Sequence, residues 1–361
     1  MSEGHIESRI AEWKVEYALD PNRCFLCGIP LTRRNHAEEH IFPKWLLNQL
    51  DLWDQKLGLL NGTTIPYRHV KVPCCRTCNT VHLERLESQV RRAWEGGYKA
   101  FRVLDEATIY KWLLKVFYAI LIMEARLLED RRAGKHAGAI VTRELARGLM
   151  TCHIHLQSII HPSRFHCPPP WSIFVAKSHT YYDVKKNFDM QDSVLAVRRK
   201  GDSEEWDAKG SFCIAVRMGE VGVIGCLQDN NYQAQLLADF WRKLHGIALH
   251  PLQFTELVAK TFYKNTLLSV CPRYITRSSS HGSIDYFSIS LDALTVDDVY
   301  EDWNMLHYAQ LFVQMLIARG ANVKLDDIYK EPGLVTSWVE REDGSINVMD
   351  SDGNPVRKSK Q

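Results

Sequence analysis

The sequence predicts an α+β protein in two parts, a metal-bearing, helix-rich first part and a mixed α/β second part. Three observations carry this. Two Cys-x-x-Cys pairs fall within the first 78 residues. A long helical pattern with apolar residues on nearly every face follows at 105–130. After Pro168-Pro169-Pro170, which no helix can contain, the pattern changes to short runs rich in β-branched residues.

Along the chain, Ile6, Ile10, Trp13 and Tyr17 stand at helical spacing, so residues 5–18 read as a short helix ended by Asp20-Pro21-Asn22. Residues 23–80 are loop-rich. Val81, Leu83, Leu86 and Val90 form one stripe of a helix over 80–95. The run at 105–130 has apolar residues on nearly every face and reads as a mostly buried helix, whose most apolar stretch, Trp112–Met123, is interrupted by Lys115. Gly134 to Gly138 breaks it before another helix over 139–159. Strands are expected at 172–175, 194–197, 212–216 and 221–226, the last two joined as a hairpin through Gly219. Helices follow at 232–245 and 251–264, strands at 268–275 and 285–291, and a helix from Thr295 to Arg319. The polar residues 341–361, with two Asp-Gly steps, read as a fraying end or weak hairpin. The expected divisions are 1–20, 21–95, 96–167, 168–320 and 321–361, with the main boundary near 165–170.

Composition narrows the function classes. The chain has 361 residues, 45 Lys+Arg against 43 Asp+Glu, 45% hydrophobic and 24% charged residues. That balance excludes a strongly basic or acidic tail protein and fits a globular one. Residues 1–150 carry 23 basic and 18 acidic side chains and the remainder 22 and 25, so any phosphate-binding surface is expected in the first part. No leader-like apolar stretch opens the chain, and the most apolar run falls short of the ~20 residues a membrane span needs. A cytoplasmic, reducing setting is expected, where paired cysteines hold metal more often than disulfides.

Cys24-Phe25-Leu26-Cys27-Gly28 and Cys75-Arg76-Thr77-Cys78 each place two thiols at i and i+3, the spacing of a metal knuckle, and together read as a four-cysteine zinc site. The 47 residues between Cys27 and Cys75 exceed the ~15–20 of a zinc ribbon, so the insert must hold further structure. Cys74 is spare, or replaces Cys75 as ligand. Cys152, His153, His155, His161, His166 and Cys167 invite a second metal reading, but they share no helical face and read more simply as helix-end side chains. Cys213 and Cys226 read as buried thiols in strands.

Between the knuckles stands Glu38-Glu39-His40-Ile41-Phe42-Pro43-Lys44-Trp45-Leu46, and Asn79 follows the last cysteine directly, with Leu86-Glu87 beyond. In this order the residues resemble the HNH (ββα-metal) endonuclease family, in its zinc-stabilised four-cysteine branch, over residues 22–90. The resemblance implies a metal-dependent endonuclease that hydrolyses DNA phosphodiesters. His40 matches the general base. Glu39 matches a catalytic-metal ligand that is often Asp, Asn79 a second ligand, and His82, one turn on, a third, for Mg²⁺ or Mn²⁺. Lys44, Arg76 and Arg85 are then candidates for nucleic-acid contacts. The family's middle Asn has only Asn61 to match it by order. Such modules occur fused to variable domains in bacterial restriction and anti-phage defence, which leaves residues 168–361 as a recognition, partner-docking or homo-oligomerising part. The alternatives are a non-catalytic zinc module that binds nucleic acid or protein, and an RNA-cleaving toxin. No membrane partner is expected.

Overall fold

The computed structural model describes residues 20–59, 61–125, 127, 143–197, 209–269, 272–279, 282–289, 299–330 and 333–356. The expected N-terminal helix at 5–18 lies outside these residues, as does the start of the helix expected from Thr295.

The architecture is mixed α+β. The first part holds β1 (His36–His40), α1 (Lys44–Gln49), β2 (Lys56–Gly58), β3 (Thr64–Pro66) and β4 (Lys71–Cys75), then a π-helical turn (Cys78–Leu83) that runs into α2 (Glu84–Glu95). Strands β1 and β4 pair antiparallel, from His36 opposite Cys75 to His40 opposite Lys71. β2 and β3 form a small separate hairpin. Next come α3 (Gly97–Arg102), α4 (Glu106–Glu124) and α5 (Arg143–Leu156). Helix α4 starts where the Asp105 carboxylate accepts the Thr108 amide at 3.0 Å. It is buried on every side, as its apolar sequence requires.

After the short strand β5 (Ser163–Phe165), a five-stranded sheet is built from β6 (Ser172–Ser178), β7 (Phe188–Val197), β8 (Lys209–Met218), β9 (Val221–Cys226) and β10 (Ala248–Leu249), in the order β10-β6-β9-β8-β7. The expected hairpin is β8 and β9, with Gly219 at φ +60° in its turn. Beyond lie α6 (Tyr232–Leu236), α7 (Ala238–Lys243), α8 (Pro251–Thr266), β11 (Arg273–Ser278), β12 (Ile284–Ile289), α9 (Met305–Ile317), α10 (Leu325–Ile328), β13 (Tyr329–Lys330) and β14 (Leu334–Val335). The helix expected over 232–245 is therefore two short ones. Bridges Glu340–Ile346 and Met349–Pro355 give the polar C-terminal stretch its turns. No helix among the described residues is long and apolar enough to cross a membrane.

Two glycines of β9 let helices close on both faces of the sheet. A Cβ on Gly225 would stand 2.8 Å from Leu113 of α4, and one on Gly222 would stand 2.5 Å from the Phe254 ring of α8. Residues 222 and 225 differ by an odd number, so they face opposite sides of the strand. Gly222→Ala is therefore expected to cost about 1–3 kcal/mol through overpacking against Phe254. A thermal melt within error of wild type would contradict that.

The division expected near 165–170 is not a break in the core. One cluster of buried side chains runs from Cys24, Leu26 and Phe42 through Trp112, Leu113 and Phe117 to Phe212, Val223 and Leu227. Polar ties cross the same line: the Trp94 indole donates to the Met218 carbonyl at 2.9 Å, and the Tyr98 amide to the Glu220 carboxylate at 2.8 Å. The first part is thus clamped to the sheet of the second.

Candidate metal centre and the His40 strand end

The first knuckle is a tight turn. The Cys24 amide donates to the Ile29 carbonyl at 3.0 Å and the Gly28 amide to the Cys24 carbonyl at 2.9 Å, with Gly28 at φ +70°. The Phe25 amide donates to the Pro73 carbonyl at 3.0 Å and so lays this turn against β4. Cys75 ends β4 and Cys78 opens the π turn, so both sulfurs are presented from the junction of a strand and a helix. The Cys78 amide donates to Cys75 Sγ at 3.4 Å.

The four sulfurs of Cys24, Cys27, Cys75 and Cys78 all lie within 4.8 Å of one another, and Cys27 Sγ is 3.8 Å from Cys75 Sγ. A tetrahedral ion with metal–sulfur bonds of ~2.3 Å has sulfur–sulfur edges of about 3.8 Å, so this donor set fits a metal ion such as zinc. Cys74 is not one of the four, yet its buried Sγ lies 3.8 Å from Cys24 Sγ. The Gln157 amide reaches from beyond α5 to the Leu26 carbonyl at 2.8 Å and holds the first knuckle from behind.

The other end of the β1–β4 pair carries His40, four residues from the metal end and so about 13 Å away along the strand. Its ring is half-buried and meets Trp53 edge-on, with ring centres 5.8 Å apart. Burial first, then the positive charges of Lys71, Lys44 and Lys115, push the imidazole down to about 4. It is neutral at pH 7. Asn79 lies in the π turn, where its side-chain amide donates to the Glu38 carbonyl at 3.1 Å and ties the helix start to β1.

Glu39 is turned inward. Strand alternation turns it away from the Glu38–His40 side, and it is only 6% exposed. Its carboxylate lies 2.6 Å from the Lys115 ammonium of α4, while Glu87 of α2 lies 2.9 Å from the same ammonium. Lys115 also donates to the carbonyl oxygens of His40 at 3.0 Å and Ile41 at 2.9 Å. Burial alone would lower the Lys115 pKa, but Glu39 and Glu87 together hold it above its ordinary value. Burial pushes the Glu87 carboxyl up, to about 7, against the pull of Lys115. One oxygen of the Glu39 carboxylate is thus spent on a buried ammonium.

His82 is half-buried, and burial and then Arg85 lower its pKa. Among the described residues, no group of three His, Cys, Asp or Glu converges except the four cysteines. Of the three residues named for a second ion, Glu39 meets Lys115, Asn79 bonds the Glu38 carbonyl and His82 is half-buried on the π turn. Asn61 spends its side-chain oxygen on its own turn, accepting from the Thr63 amide at 3.2 Å and hydroxyl at 2.6 Å. Lys44, Arg76 and Arg85 are all exposed.

The second His/Cys cluster does not converge. His155 Nδ1 is 2.7 Å from the Tyr110 hydroxyl, His153 lies against Gln157, and His166 pairs with Asp285. Burial lowers both His153 and His155 to about 3. Below the ordinary value of 6.5 an unfolded chain binds protons that these rings refuse, so the stability they contribute is present above pH 6.5 and lost as pH falls toward 3. His155→Gln is expected to make the urea midpoint fall less between pH 7.5 and 5. An unchanged fall would place the acid sensitivity elsewhere.

Sequence reasoning missed Lys115. The signal was present: a charge in the middle of the apolar run Trp112–Met123 must find partners of opposite sign. No protein-family model, curated protein or solved structure matches this chain.

Proposed function

We propose that this chain hydrolyses phosphodiester bonds of DNA from an HNH-like site centred on His40, beside a structural zinc held by Cys24, Cys27, Cys75 and Cys78. The observation that supports it is a neutral imidazole at the end of a strand whose antiparallel partner carries the second knuckle, with the helix opened by Cys78-Asn79 laid against it. Soft thiolates select zinc over hard cations. In this reading His40 takes a proton from the attacking water. Lys44 and Lys71 put positive charge beside the imidazole that would draw in a phosphate, although Lys71 also pairs with Glu38 at 3.1 Å. Glu39, Asn79 and His82 are the residues that would hold an Mg²⁺ or Mn²⁺ ion there, and such an ion would polarise the phosphate.

The test is cleavage by the full-length protein of supercoiled plasmid, linear duplex, single-stranded DNA and RNA, each with Mg²⁺, with Mn²⁺ and with chelator. Nicking or linearisation of DNA supports the reading, and cleavage of RNA alone turns it toward a ribonuclease. A second reading is a zinc-bearing binding module without catalysis, favoured by the commitment of Glu39 to Lys115. It predicts no cleavage of any substrate, with nucleic-acid binding reduced by charge reversal at Lys44, Arg76 and Arg85.

A further inference from the structure

We propose that Lys115 is the positioning residue of the site: its ammonium clamps the carbonyl oxygens of His40 and Ile41, and Glu39 and Glu87 hold it there. The proposal rests on the nuclease reading for its catalytic consequence but not for its geometry.

Lys115 is 0% exposed, so it cannot touch a substrate. Its neighbours on α4, Trp112, Leu114 and Phe117, are equally buried, and an apolar side chain would avoid the cost of taking an ammonium out of water. What an apolar side chain cannot do is bind oxygen. The ammonium has three N–H donors and four acceptors in reach, two carbonyls and two carboxylates, so its position is set from three elements at once. The two carbonyls lie where β1 ends: the Ile41 amide still bonds the Val70 carbonyl at 3.0 Å, and the chain then leaves through Pro43 into α1. This is the stretch on which the placement of the His40 ring depends. Glu39, next to His40, then works as an anchor for the clamp. The long helix α4, outside the resemblance at 22–90, becomes part of the site.

Two variants separate placement from stability. Lys115→Met leaves two buried carboxylates unpaired and is expected to lower the melting temperature. The triple variant Glu39→Gln/Glu87→Gln/Lys115→Met removes those charges and is expected to recover most of that loss, with metal content unchanged. It still lacks the clamp. In the triple variant the amides of His40–Phe42 are expected to exchange with deuterium at least tenfold faster than in wild type, with the Cys24–Gly28 turn unaffected. On the plasmid substrate kcat is expected to fall at least tenfold with KM unchanged. Wild-type protection at His40–Phe42, or wild-type kcat, would overturn the proposal.

If the wild type cleaves nothing, the nuclease reading fails, and the exchange measurement alone decides the clamp. If the triple variant does not fold, Glu87→Gln, which loosens one anchor, is expected to shift both readouts the same way by a smaller factor. No shift there overturns the clamp as well.

Discussion

Cys24→Ser is expected to take the protein from one tightly held metal ion per chain to essentially none, and to unfold the segment between the knuckles. Four sulfurs within 4.8 Å of one another form a complete tetrahedral set, and three cannot close it. Structural zinc contributes on the order of 10 kcal/mol to such sites. That is comparable with the whole stability of an ordinary domain, about 5–15 kcal/mol. The insert's own elements are small, a pair of five-residue strands, a six-residue helix and a hairpin of two three-residue strands, and its Phe42, Leu46 and Val72 pack into the shared core. Atomic absorption on the purified protein and a thermal melt would show it. Retained metal with an unchanged melt would refute the four-cysteine assignment. Cys74→Ser serves as the control and should keep its ion, since Cys74 contacts Cys24 without belonging to the set. Loss of metal from Cys74→Ser with retention in Cys75→Ser would exchange the two roles.

His40→Ala is expected to lower the cleavage rate by about 10²–10⁴-fold, the usual contribution of a positioned general base, while metal content and folding persist. The pH profile is a sharper test. Burial and three lysines hold the imidazole at about 4 in the fold, below its ordinary 6.5. Only the neutral ring accepts a proton, so the acid limb of the rate profile should fall near pH 4 and not near 6.5. An acid limb at 6.5 would mean that His40 is not the base, or that a negative charge lies beside it in the working complex. The sign carries through to folding. Between pH 6.5 and 4 the unfolded chain binds a proton at His40 that the folded chain does not, so this contribution to stability is lost as pH falls through that window.

Several elements were legible because the physics that makes them is local. The i, i+3 cysteines make knuckles wherever they occur, and Gly28 at positive φ closes the first. The run at 105–130 could only be a buried helix, although it ends at Glu124. Gly219 marked its hairpin. The strands at 172–178 and 188–197 proved longer than expected, because pairing with β9 and β8 extends them past their most apolar residues. The core that runs across the expected boundary has a physical cause too. Three prolines stop a helix, but they do not stop the side chains on either side from packing together. Likewise, local spacing brought Glu39 next to His40 but could not show that strand alternation turns its carboxylate inward to a lysine 76 residues further on.

By itself the sequence determined the four-cysteine donor set and the mixed character of the chain, since ligand spacing and apolar periodicity depend on neighbours within a few residues. Only the tertiary structure decided what each charged group near His40 does. Glu39 and Glu87 lie on a strand and a helix that both reach α4, and Lys115 is charged inside a core only because both are there. Such a buried charge is settled by its three-dimensional partners, because the cost of desolvation is met by groups far away in sequence.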